Sequence, residues 1–189
     1  GMYDSRSALK GVDYKRLTGK LHLTNQATAR LSFDVNLSLS YQRANAVADM
    51  GLMANPVRSL ARLQPWLKVY NEDGSYDFSY NNTFNPVAIM NGNTRTGTIY
   101  GLLGSAGAKY RFTDFLSFET KISLDLNYAR SNLFFEPGFA DGRNTNGWVL
   151  VNNSLWNNWV STNILRFNRR WGHHGISTFV GYEAQETRN

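Results

Sequence analysis

Three histidines and a scatter of carboxylates are the side chains here that chemistry could use. His22 stands apart, while His173 and His174 are adjacent. Neighbours on a strand point to opposite faces, so that pair does not converge on one metal ion, and its turn-like surroundings leave it solvated. Glu72, Asp73 and Asp77 lack the ligand spacing of a calcium loop and read as carboxylates of a solvated turn. Glu119 and Asp125 share one strand face, yet the extended chain between them spans roughly 20 Å, too far for paired acid and base work. Gly101–Gly107 is rich in Gly, Ser and Ala, but strand residues follow it instead of a helix, so it is no phosphate loop. Cysteine is absent, which removes disulfides and thiolate metal sites. No catalytic residue, metal site or cofactor is expected, and the chain is not expected to be an enzyme.

The elements that carry these residues are more telling. Arg30–Gln42 alternates strictly: Leu31, Phe33, Val35, Leu37, Leu39 and Tyr41 lie on one face. Asp34, Asn36, Ser38, Ser40 and Gln42 lie on the other. Leu116–Arg130 repeats the pattern, with Leu116, Phe118, Ile122, Leu124, Leu126 and Tyr128 opposite Glu119, Lys121, Ser123, Asp125 and Asn127. Period-two alternation marks strands with one apolar and one wet side. Strands of soluble domains usually span about 5–6 residues, whereas a tilted membrane-spanning strand needs about 9–11. Both runs belong to the longer class, so the ten polar residues just named are candidates to face the lumen of a membrane barrel.

Bulk composition agrees with this reading without requiring it. The chain has 189 residues, 42% of them hydrophobic, and a mean hydropathy of -0.42. A barrel hides in such averages because its lumen side is polar. No run approaches the ~18 apolar residues of a membrane-spanning helix. The net charge of +6 is spread over Lys15/Arg16, Arg58/Arg62, Lys109/Arg111 and Arg169/Arg170. That scatter lacks the single basic stripe of a nucleic-acid binder, so no nucleic acid is expected. No signal peptide is legible in Gly1–Lys10, and an exported protein without one is expected to be a fragment.

Along the chain, strand-like segments come in pairs joined by short polar turns, and long excursions separate the pairs. The pairs are Tyr14–Leu23 with the first long run, Ser105–Phe112 with the second, and Trp156–Asn168 with Gly175–Thr187; Trp148–Asn152 adds a separate segment. The largest excursion, at about 43–101, holds one predicted helix. Asn55 caps it, Pro56 opens it, Val57, Leu60, Ala61 and Leu63 form its apolar stripe, and Pro65 ends it. Asn71–Gly74 reads as a tight turn. Excursions of this length are usually functional. The chain carries 5 Trp, 10 Tyr and 11 Phe. Tyr41, Tyr110 and Tyr128 sit near strand ends, where a membrane barrel carries its aromatic girdle. Trp66, Tyr70, Tyr76, Tyr80 and Trp148 lie in or beside the loops, as candidates to stack on a ligand or to pack the loops themselves.

The order of these features resembles the barrel of SusC/RagA-like TonB-linked outer-membrane transporters of Bacteroidetes. The resemblance rests on Gly11–Arg16, Val69–Tyr76, Asn85-Pro86-Val87-Ala88, Tyr110-Arg111-Phe112, Asn163–Phe167 and Val180-Gly181-Tyr182-Glu183-Ala184-Gln185. It implies a 22-stranded barrel with a plug and a TonB-binding segment, of which 189 residues supply only part of the wall. It also implies energy-coupled uptake of a glycan or peptide, with the TonB complex and a SusD-like surface lipoprotein as partners.

The expected fold is therefore all-β: an antiparallel meander of long amphipathic strands, a partial outer-membrane barrel with long loops and one short loop helix. Residues 1–189 form one segment without plug or TonB-binding part. Alone, it is expected to be inactive in transport, and either to self-associate through its sheet edges or to fold its apolar faces together in a sandwich. Two rivals remain: a complete small outer-membrane barrel with a structural or adhesion role, and a soluble carbohydrate-binding sandwich.

Overall fold

The computed structural model describes residues 1–48, 55–79, 85–138 and 140–188. Seven strands form one sheet: β1 (Met2–Arg6), β2 (Asp13–Gln26), β3 (Leu31–Ala46), β4 (Thr94–Arg111), β5 (Leu116–Phe135), β6 (Trp148–Trp171) and β7 (His174–Arg188). They stand in sequence order, each antiparallel to the next, and β1 does not pair with β7. The sheet is open and one layer thick. A complete small barrel would join its two edges, and a sandwich would lay a second sheet over the apolar face; neither arrangement is present among the described residues.

The strands are longer than the alternation alone indicated. β6 is a single strand of 24 residues where two segments were expected, since Asn152–Leu155 keeps the ladder while breaking the apolar pattern. β4 begins at Thr94, well before Ser105, because Tyr100 and Leu102 keep alternating across glycines that blur the signal. The long connection accordingly shrinks from about 43–101 to 47–93. β1 was not foreseen; it is held by pairing with Asp13–Leu17.

Turn chemistry closes one end of the sheet tightly. In the β2–β3 turn the Thr28 hydroxyl accepts from the backbone N–H of Arg30 and of Leu31. In the β4–β5 turn Thr113 does the same for Phe115 and Leu116. Between β6 and β7, Gly172 supplies the positive φ of 57° that a two-residue hairpin needs. His173 stays in that turn, whereas His174 is the first residue of β7.

At the other end lie the turn at 7–12, the connection 47–93 and the connection 136–147. Among its described residues the connection 47–93 carries two short helices, α1 (Pro56–Leu60) and α2 (Pro86–Gly92). Both open on the same signal, Asn-Pro-Val, with the asparagine side chain accepting from the backbone N–H groups of the second and third residues after it. Only the first was read as a helix start. That helix also stops at Leu60, short of Pro65, and turns over relative to expectation. Pro56 and Ser59 are buried, while Val57 and Leu60 are exposed, because Pro56 and Ser59 face the packed side. Between the helices Tyr70 and Tyr76 bridge as an antiparallel pair around the 71–74 turn, as expected. Hydrogen bonds from the Ser75 hydroxyl at 2.6 Å and the Ser75 N–H at 3.0 Å stabilise the Asp73 carboxylate there. They hold its carboxyl below the usual range.

Packed apolar clusters sit only at this loop end among the described residues. Ala48, Leu133 and Phe135 pack with Trp148, and Ala88, Ile89 and Ala140 with Tyr76 and Phe78. Gly142 is wedged beneath the 136–147 connection, where an added Cβ would lie 2.2 Å from the Glu136 carbonyl oxygen.

Two outcomes follow from this packing. Gly142→Ala is expected to destabilise the chain by about 1–3 kcal/mol, since backbone and not a movable side chain must yield. Gly19→Ala, with nothing within 4 Å, is expected to change stability by less than about 0.5 kcal/mol. Urea unfolding of both variants refolded in micelles checks the contrast. The second outcome concerns pH. Because the Asp73 carboxyl is lowered from 3.8, its contribution to the turn is complete above that value and is lost as pH falls through the lower folded value. The Ser75 amide resonance, followed by NMR against pH, should move only below 3.8, and Asp73→Asn should abolish that step.

Candidate functional site

Register brings the two polar rows of β3 and β5 onto one face, with β4 between them. Asp34, Gly107 and Lys121 align across the three strands, as do Asn36, Ser105 and Ser123. Ser38, Leu103 and Asp125 form the next row, then Ser40, Gly101 and Asn127. Gln42 stands a further step on, bonded to the Tyr14 hydroxyl at 2.8 Å. Side chains converge on this face. A Cβ at Gly101 would meet Ser40 Oγ at 2.5 Å, and one at Gly107 would fall as close to the Asp34 carboxylate. Glycine therefore gives the larger polar groups their room. Toward the turn end, Glu119 Oε1 lies 2.6 Å from Lys109 Nζ, and its Oε2 lies 3.4 Å from Arg166 Nε. Asn127 Nδ2 donates to Asp125 Oδ1 at 2.7 Å. Glu119 and Asp125 remain in separate groups of partners, as their spacing required. His22 joins the same face, its Nδ1 2.5 Å from Asn36 Oδ1.

Burial is inverted relative to a soluble domain. The polar residues Asp34, Asn36, Ser38, Ser40 and Gln42 are half-buried, while Phe33 is 42% and Leu39 48% exposed on the opposite face. That face carries an apolar belt. Toward the loops it is bounded by a row of tyrosines: Tyr41, Tyr100 and Tyr128 align across three strands. Their ring centroids are 5.2 and 6.3 Å apart. Toward the turns, Tyr110 meets Phe112 at 5.0 Å and Phe115 meets Phe167 at 5.5 Å. Tyr100 had not been singled out in the sequence; only the register reveals it as the middle of a row.

From Tyr100 to Tyr110 the strand runs roughly 33 Å. Inclined by about 40°, it spans about 25 Å, the height of the apolar band of a membrane barrel. The belt also crosses the sheet obliquely. The midpoint of the apolar run of β2, Lys20, leads through Ser38, Leu103 and Asp125 to Asn158 on β6. The midpoint of the β7 run, Val180, pairs with Leu165, seven residues beyond Asn158. Over five strand spacings of about 4.8 Å, this drift corresponds to an inclination of about 45°. Three polar residues of β6 interrupt the belt. Asn157 lies beside Leu126, and its buried Oδ1 has no hydrogen-bond partner among the described residues. Ser161 and Asn163 bond within the sheet. Asn163 accepts from Thr120 Oγ1 at 2.8 Å and donates to Ser161 Oγ at 3.4 Å.

The loop aromatics are distributed differently from their sequence grouping. Trp66 is 74% exposed. Tyr70 stacks on Tyr76 at 5.4 Å, and the Tyr76 hydroxyl accepts from Asn91 Nδ2 at 2.7 Å. Trp148 is no loop residue: it opens β6 and stacks on Phe135 at 4.5 Å with 12° between the planes. Tyr80 lies outside the described residues. The place of Trp148 at the head of a strand agrees with the separate segment read at Trp148–Asn152, while its stacking on Phe135 was not visible in the sequence. Among the described residues no cluster of three metal-ligating side chains occurs.

Comparison with known proteins gives the same picture. No protein-family profile matches the chain. Over 135 residues, 70% of this chain, it is 25% identical to TonB-dependent receptor P3 of Formosa agariphila, and the match covers 14% of that protein. A solved structure of the RagAB peptide transporter shares the fold, with a TM-score of 0.67 at 12% identity over 93% of this chain and 21% of that one. The RagAB peptide importer in its closed-closed state gives a TM-score of 0.66 at 12% identity, covering 93% of this chain and 22% of that one. The chain thus spans only a small part of the length of the proteins it matches. In sequence the chain is similar to part of a TonB-dependent receptor, and in fold it is similar to part of the RagAB transporter, as a segment of barrel wall.

Proposed function

We propose that this chain is wall of an outer-membrane transporter that takes up a nutrient of the peptide or glycan class by energy coupling from the inner membrane. The oblique apolar belt carries this reading. An inclination of about 45° has no purpose in a water-soluble sheet, but it is what tilted strands of a closed barrel present to a flat bilayer. On this reading Asp34, Asn36, Ser38, Ser40, Gln42, Glu119, Lys121, Ser123, Asp125 and Asn127 line the lumen. Trp66 and Tyr70 stand at the outer mouth, where they meet cargo before a plug moves aside. The family resemblance supplies the TonB complex and a SusD-like surface lipoprotein as partners, and the peptide cargo of RagAB favours peptide here.

Seven strands neither close a pore nor hold a plug, so the chain alone does not transport. Its edges, β1 with the part of β2 beyond it and β7 with the part of β6 beyond it, offer unpaired backbone groups. Sedimentation in buffer without detergent is expected to show concentration-dependent association; a monodisperse monomer would count against edge pairing. The functional reading is tested by fractionating source cells and probing with antibody raised against this chain. A band in the outer membrane, far larger than this chain alone, is the expected result. A soluble band of this chain's own size would overturn the proposal.

A further inference from the structure

Above the tyrosine row, on the apolar face, the next aligned residues are Lys15, Arg43, Thr98 and Arg130. Lys15 is engaged by Asp4 at 3.7 Å, and the nearby Asp13 carboxylate is held through both oxygens by Asn45 Nδ2. The two arginines differ from these. Both are exposed. Among the described residues the Arg43 side chain makes no hydrogen bond or ion pair, and Arg130 uses its Nε on Asn132 Oδ1 at 3.2 Å. Arg43 and Arg130 stand on β3 and β5, so about 10 Å separates their backbones. Between them β4 presents only the short side chain of Thr98. Two guanidinium forks flanking a hydroxyl form a donor set for a tetrahedral oxyanion.

Directly below this set lies an apolar hollow of about 720 Å³, lined by Leu17, Leu39, Tyr41, Tyr100, Leu102 and Leu126 among others. A ligand reaching both features needs a phosphate at one end and hydrocarbon at the other. We propose that Arg43, Thr98 and Arg130 hold the phosphate of a phosphorylated membrane lipid, whose acyl chains lie in the hollow beneath the tyrosines. The positive charge selects an anionic headgroup. The position of the pair at the loop-side edge of the belt sets that headgroup at the outer surface of the bilayer. This inference rests on the membrane reading of the belt.

The two readings are separated by vesicle flotation of the full chain. Vesicles of neutral phosphatidylcholine are compared with the same vesicles doped with phosphatidic acid, or with oleate as an anionic lipid lacking phosphate. Binding to neutral vesicles tests the belt, and its absence would sink the membrane reading itself. The lipid site predicts additional binding to phosphatidic acid beyond that to oleate. Each surface cation contributes about fivefold in partition, so Arg43→Gln and Arg130→Gln should each lower that excess about fivefold while neutral binding persists. Thr98→Glu, which places a carboxylate between the arginines, should abolish the excess even if one arginine variant fails to fold. Equal binding to phosphatidic acid and oleate, or an excess untouched by all three variants, would overturn the lipid site. Loss of the excess on adding millimolar inorganic phosphate would overturn it too, since the pair would then be a site for the free ion.

Discussion

From Arg95 to Tyr110, each residue of β4 faces a partner on both sides, one on β3 and one on β5. Everything else in the molecule hangs on that ladder. A strand whose outer side meets hydrocarbon has no water to satisfy its backbone, so every amide must find a neighbouring strand. The same ladder decides which side chains share a row, since one slip of register would exchange the polar and apolar faces. Rows then do the rest: tyrosines align into a band, and glycines on β4 leave room for carboxylate and amide groups on either side. No central core is needed, because the apolar surface is turned outward and the only closely packed apolar clusters described lie among the loops.

The face of each residue in β3 and β5 was legible in the sequence because alternation is a local signal. Asp34 through Gln42 and Glu119 through Asn127 could be assigned to one side from their own strands alone. What alternation could not show was that these two rows lie on the same face of one sheet, since that depends on β4. Its glycines at Gly101, Gly104 and Gly107 dilute the pattern while making the arrangement possible. β1 escaped notice because five residues with a mixed sequence carry no period, and only pairing gives them form. The packing of Trp148 was hidden for a similar reason, since a neighbour across the ladder, Phe135, fixes it.

The loop region was legible in part through capping chemistry. Asn55 and Asn85 each begin a helix by the same means, and the second passed unrecognised because its apolar residues face inward without a visible stripe. Tyr70 and Tyr76 were read as rings that either stack on a ligand or pack the loops, and the turn at 71–74 brings them together. Side chains offered to solvent by composition alone are thus divided by backbone geometry into those occupied with one another and those, such as Trp66, left open.

The unequal connections also bear on how the chain comes together. The turns at 27–30, 112–115 and 172–173 tie β2 to β3, β4 to β5 and β6 to β7, so each of these pairs is a hairpin that closes locally. The connection 47–93 is roughly tenfold longer than the turn at 27–30, which raises the entropic cost of closing it by about 2 kcal/mol. The β3–β4 seam therefore gains nothing from proximity and depends on its own sixteen-residue register, from Leu31 with Tyr110 to Ala46 with Arg95. Assembly of this wall is a joining of preformed hairpins, and its slowest seam coincides with its most elaborate loop.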